Sequence, residues 1–153
     1  MQEIVARFMA SLAELPDFAD VDIADINACG TDGDTALHVA LHRNDLSIAR
    51  ALVEDGIDIN KAGDLGYTAL HVACMKGNAD MVHLLIENGA DLFALNEGDP
   101  PFTSARLAGH DHICNLLGPL MKKVQSSDPN IWVRARIGQL QREIASLEAK
   151  LKS

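Results

Sequence analysis

Two stretches of this chain say nearly the same thing at a spacing of 33 residues. Residues 33–60 read GDTALHVALHRNDLSIARALVEDGIDIN, and residues 66–93 read GYTALHVACMKGNADMVHLLIENGADLF. Gly33 aligns with Gly66, Thr35 with Thr68, Leu37 with Leu70, His38 with His71, Ala40 with Ala73, Leu52 with Leu85, Gly56 with Gly89 and Asp58 with Asp91. A fixed period of this size belongs to architectures in which one small unit stacks on the next and contacts only its neighbours. Such a stack offers a long concave surface and has no built-in catalytic cleft.

Within the second unit the spacing predicts two short helices. Leu70, Ala73 and Cys74 recur at helical intervals, with Thr68 placed to cap the first turn and Gly77 to end the helix. Met81, Val82, Leu84 and Leu85 mark a second helix that Gly89 closes. In the first unit Asn44 stands where Gly77 stands in the second, and Asn is the next most tolerant residue for a left-handed helix end. Helices of about ten residues are marginal in isolation. They become stable by burying faces against the next pair, so a single unit is not expected to fold.

Thr35-Ala36-Leu37-His38 and Thr68-Ala69-Leu70-His71, followed by Ala40 and Ala73, resemble the T-P-L-H-x-A motif of the ankyrin repeat. The tails Asp55-Gly56-Ile57-Asp58-Ile59-Asn60 and Asn88-Gly89-Ala90-Asp91-Leu92 resemble the family's closing turn. The resemblance covers roughly residues 3–123. It implies an all-α solenoid with a partial, capping repeat over 1–29, full repeats over 30–62 and 63–95, and a degraded repeat over 96–123. The degraded repeat reads Pro100-Pro101-Phe102-Thr103 where the family has its motif, and Gly118-Pro119 is expected to stop or kink its last helix. Glu14, Asp17, Asp20 and Asp22 give the first segment the polar outer face that an end unit needs.

Net charge is −9 and unevenly placed. Residues 124–153 hold five Lys/Arg and three Asp/Glu, leaving eight and nineteen for residues 1–123. An acidic body of this kind does not suit nucleic acid, whose phosphates need a basic patch, nor an anionic membrane. No apolar run is long enough to span a bilayer, and the first seven residues lack the features of a secretory leader. Cys29, Cys74 and Cys114 show no paired spacing, so a reducing, cytoplasmic setting is expected.

The last thirty residues lie outside the period. Residues 124–128 read as a linker and 129–153 as an amphipathic helix opened by Asp128 and Pro129. Ile137, Ile144 and Leu151 fall at heptad position a, and Val133, Leu140 and Leu147 at d, the pattern of a parallel two-stranded coil. Two features work against it. Gly138 weakens the helix, and Glu143 at g would face Glu148 at e of a second chain. The competing arrangement folds this helix back so that Ile131 and Trp132 cover Leu116 and Leu117.

By the resemblance, partners bind the turn tips and first helices on the concave side. The residues at those positions are Asp32, Asp34 and Arg43, then Asp64, Leu65, Tyr67, Met75 and Lys76, then Glu97 and Asp99, with Thr31, His42, Asn96, Leu107 and Ala108 beside them. An aromatic anchor ringed by acid suits a protein segment carrying Lys or Arg with an apolar side chain. The bland reading is that these are solvated turn residues. His38 and His71 are structural by the resemblance, bonding backbone between repeats. His110, His112 and Cys114 form an H-x-H-x-C run, but side chains two apart on a helix do not share a face, so no metal and no cofactor is expected. No nucleophile elbow, phosphate loop or zinc spacing appears, and enzyme activity is not expected. Three roles fit: a dimeric adaptor joined by the C-terminal helix, a monomeric binder or inhibitor whose helix caps the stack or takes a second partner, and an accessory or chaperone subunit of an enzyme.

Overall fold

The computed structural model describes residues 1–153. Eight α-helices run in sequence, and β structure is limited to two isolated bridges, Cys29–Thr35 and Asn96–Asp99. Helices α2 (Ala36–His42), α4 (Ala69–Lys76) and α6 (Pro101–Leu107) pack side by side as one layer. Helices α1 (Glu3–Leu12), α3 (Leu46–Glu54), α5 (Ala79–Glu87) and α7 (Asp111–Ser127) form a second layer behind it. The two-layer stack is the all-α solenoid the period implies. One continuous core runs its length, from Val5, Phe8 and Leu12 through Leu37, Leu52, Leu70 and Leu85 to Ile113, Leu117 and Met121. The central inner helix α4 is buried all round from Ala69 to Cys74, because it has a neighbour on every side but one.

The helix ends expected in the two full repeats are present. Asn44 and Gly77 both adopt the left-handed conformation, with φ of 57° and 70°. A side chain at Gly77 would also collide with the His110 ring, 2.5 Å from where its Cβ would lie. Asparagines bind neighbouring turns together: Asp58 N donates to Asn27 Oδ1 at 2.7 Å, and Asp91 N donates to Asn60 Oδ1 at 2.7 Å. At the front, Glu14, Asp17, Asp20 and Asp22 face solvent while Phe18 is buried beneath them.

The C-terminal part departs from expectation in three ways. First, α7 passes through Gly118-Pro119 and continues to Ser127, so 124–127 is helix rather than linker. Pro119 removes one donor, but Gly118 has no Cβ to clash with the proline ring. Ile113, Leu117 and Met121, at i, i+4 and i+8 across the proline, are buried and hold the helix together. Second, the break lies at Asp128–Asn130. Asp128 accepts from Asn130 N at 3.2 Å, and α8 spans Ile131–Leu151 instead of opening at Pro129. Third, Trp132 packs edge-on against Phe93, ring centroids 4.8 Å apart, where Leu116 and Leu117 were the expected partners. Phe93 is buried at the end of the second repeat, so α8 turns back across the third repeat to reach it.

Candidate functional site

The tips and inner helices build a groove along one side of the stack. At each tip a glycine closes a tight turn: Gly33 N donates to Gly30 O, and Gly66 N to Gly63 O. Successive tips are tied together, since Asp64 N donates to Asp34 Oδ1 at 2.9 Å. Gly63 has no side chain because Asp34 and His38 occupy the space a Cβ would need.

Two buried histidines set the spacing of the repeats. His38 Nδ1 accepts from Thr35 N at 3.2 Å, which leaves Nε2 to carry the proton and donate to Tyr67 O at 2.9 Å. His71 does the same, accepting from Thr68 N at 3.1 Å and donating to Asp99 O at 3.1 Å. Each first helix is thereby fastened to the next tip, which orients Tyr67 and Asp99. Burial lowers the pKa of both rings: His38 falls below its ordinary value, and His71 falls from 6.5 to about 4. The neutral tautomer this network requires is the form that burial favours.

Between the first and second repeats the groove opens into a cavity of roughly 170 Å³. Asp34, His42 and Asp64 line its polar side, and Leu65, Tyr67, Val72 and Met75 its apolar side. Between the second and third repeats a cavity of roughly 290 Å³ shares Tyr67 and Met75 and adds Asn96, Asp99, Thr103, Ser104, Leu107 and Ala108. The two are the same place in successive repeats. Met75 follows His42, and Leu107 follows Met75, along the inner face. The groove therefore runs from an acidic end to a hydroxyl-bearing and apolar end, with Tyr67 and Met75 between. Leu65 is 62% exposed and Leu107 75% exposed, an unusual amount of free aliphatic surface beside charged tips. Asn96 is only 5% exposed, and its Oδ1 has no hydrogen-bond partner.

Six of the ten expected residues come together here: Asp34, Asp64, Leu65, Tyr67, Met75 and Asp99. The other four do not line the groove. Asp32 is exposed and caps its own turn, accepting from Asp34 N. Arg43 lies over the Phe8 ring of α1, 5.7 Å from its centroid, so it joins the first segment to the stack. Lys76 and Glu97 point to solvent. Val72, Thr103 and Ser104 were not anticipated. Thr103 and Ser104 occupy the inner-helix positions of His71 and Val72, in the register already set by Pro100-Pro101-Phe102-Thr103, and what the sequence did not show is that these two side chains line the groove.

His110 and His112 donate from Nε2 to Met75 O and Gly77 O, at 3.1 and 3.0 Å, and brace α7 against the second repeat. No group of three or more His, Cys, Asp or Glu side chains is arranged to hold a metal ion. Burial pushes the Cys74 thiol up to about 12, which leaves it a packing residue rather than a nucleophile. No helix is long and apolar enough to cross a membrane.

On α8 the heptad residues are open to solvent. Val133, Ile137, Leu140, Ile144, Leu147 and Leu151 are all between 41% and 86% exposed. A family model described as ankyrin repeats in three copies matches the chain over residues 3–96 and again over 61–128. No curated protein matches it.

Proposed function

Because the chain belongs to the ankyrin repeat family, whose stacks bind protein partners, we propose that it is an adaptor holding a basic, apolar segment of another protein in the groove. The observation that carries this reading is the joining of Asp34 and Asp64 to Leu65, Tyr67 and Met75 in one cavity. A lysine or arginine can extend its aliphatic stem along Tyr67 and Met75 and place its charge between the two carboxylates. Asp34 has Oδ1 engaged by Asp64 N and Oδ2 free on the side of His42, 3.9 Å away. Adjacent inner helices lie about 8–10 Å apart, so an extended segment would reach the Leu107 end about three residues further on.

The heptad face of α8 supports self-association, which would give the adaptor two grooves and raise its affinity for a two-site partner. The reading as an enzyme subunit or chaperone has no feature of its own in this structure.

A peptide-display selection on the full chain tests the groove. Enriched peptides should pair Lys or Arg with a bulky apolar residue about three positions away. Tyr67→Ala combined with Asp64→Lys should abolish their binding. Acidic enriched peptides, or undiminished binding to the double variant, would refute the groove. Light scattering tests the second part: a concentration-dependent dimer should become monomeric in Leu140→Asp/Leu147→Asp, whose changes fall on exposed positions.

A further inference from the structure

The helix α8 uses two faces at once. Its c and f positions turn to the body. Trp132 sits on Phe93, Ala135 is packed against the core, Gln139 is 4% exposed, and Arg142 Nη2 donates to Leu95 O at 2.9 Å. Its a and d positions, on the opposite side, remain bare. Docking and pairing, competing arrangements when read from sequence, are compatible in space.

Resting on the self-association read above, we propose that α8 pairs with α8 of a second copy as a parallel coil over 133–151 while each helix stays fastened to its own stack. The two stacks are then related by a two-fold axis along the coil, and their grooves are held in fixed relation instead of on a free tether.

A second copy of this chain carries the same heptad face, Val133 to Leu151, and so matches it layer by layer. Ile137 and Ile144 at a with Leu140 and Leu147 at d favour two parallel strands. Charge then decides between orientations. In a parallel pair the only charged contact across the coil is Glu143 at g against Glu148 at e of the partner. The structure blunts it. Gln139 Nε2 donates to Glu143 Oε1 at 2.8 Å while Gln139 Oε1 accepts from Arg136 at 2.7 Å, so the Glu143 carboxylate is drawn along its own helix toward a nearby guanidinium. An antiparallel pair keeping all six apolar residues in register would set g against g and e against e. Arg136 would then face Lys150 twice, and Glu143 would face its own copy. The compensating Arg134–Glu148 pairs would pull Arg134 from Asp128, its ion-pair partner here.

Glu148→Lys in the full chain reads the orientation, because Glu148 takes part in no internal hydrogen bond or ion pair. Dimerisation is measured by sedimentation equilibrium at low salt. In a parallel coil the variant replaces two like-charge contacts with two Lys–Glu contacts, and the dimer Kd should tighten by roughly tenfold. In an antiparallel coil the new lysine meets Arg134 and the dimer loosens. Leu151→Cys, at the last a position, should also form an interchain disulfide under mild oxidation, above the level seen with the parent chain, because a parallel pair sets residue 151 against its own copy and an antiparallel pair sets it against Val133. Tightening with cross-linking is the expected result. A dimer that loosens, keeps its affinity or fails to cross-link overturns the parallel arrangement alone. A parent chain that stays monomeric at every concentration overturns self-association itself, and this proposal with it.

Discussion

The junction between the second and third repeats and the junction between the third repeat and α8 are built by different physics. At the first, a buried histidine satisfies a backbone donor in its own repeat and a backbone acceptor in the next. At the second, the corresponding position is Thr103, and α8 is attached by the Trp132–Phe93 pair, by Ile131 and Ala135 packed against the core, and by a bond from Arg142 to Leu95 O. Buried polar groups are costly to leave unmatched, so the inner junction tolerates a single geometry. The outer junction is made of contacts that can be lost one at a time. The stack is therefore most tightly specified where the groove lies and loosest where the helix that joins two copies attaches.

The largest test of that contrast removes the histidine. His71→Ala leaves Thr68 N and Asp99 O unpaired and opens a cavity, and should cost about 3 kcal/mol in urea unfolding. Thr103→Ala, its counterpart in the last repeat, should cost less than about 0.5 kcal/mol. Equal losses would erase the distinction between the junctions.

Acid probes the same network without a mutation. The folded pKa of His71 lies at about 4, below its ordinary 6.5, so the unfolded chain binds the proton more readily. Its contribution is fully present above pH 6.5 and is lost as pH falls toward 4, on the order of 3 kcal/mol. The lowered pKa of His38 acts in the same direction. Stability measured from pH 7.5 to 4 should fall in the parent chain and fall less steeply in His71→Gln, which cannot titrate. A parallel decline in both would show that other groups dominate.

At the outer junction Trp132→Ala should cost about 1–2 kcal/mol, since the ring is only half-buried. A loss above about 4 kcal/mol, or collapse of the fold, would make α8 an integral part of the stack rather than an attachment.

The same contrast explains what could be read from the sequence. Thr68, Leu70, His71, Gly77 and Gly89 each perform a local task that only a few residue types can do, so their period gave the fold and the placement of the tips. The residues Asp34, Leu65, Tyr67 and Met75, which line the groove, were placed by carrying the ankyrin family's binding positions onto this register. Legibility ended where partners are distant in sequence. Nothing local says that Arg43 reaches Phe8, that Trp132 reaches back to Phe93, or that Gln139 is buried. The helix through Gly118-Pro119 misled because proline is a local signal while burial of Ile113, Leu117 and Met121 is not. Thr103 and Ser104 escaped because the motif position that Thr103 occupies is buried in the first two repeats, at His38 and His71, while in the third the short hydroxyl side chains line the groove.

The smallest expected effect lies at a tip. Leu65 has φ of 52°, a left-handed conformation that disfavours a branched aliphatic side chain, and it is 62% exposed. At the matching position of the first repeat Asp32 keeps a negative φ, and in the third Glu97 is left-handed at 46°. Asparagine adopts that conformation with little strain, so Leu65→Asn should stabilise the free protein by about 0.5–1 kcal/mol in urea unfolding. If the leucine is kept for what it touches, the same substitution should weaken binding of the display-selected peptides several-fold. Stabilisation without loss of binding would remove Leu65 from the groove's working surface and leave Tyr67 and Met75 as its apolar anchors. Loss of stability would mean that the exposed leucine contributes to packing at the tip, and that the groove between the first two repeats is held by more than its hydrogen bonds.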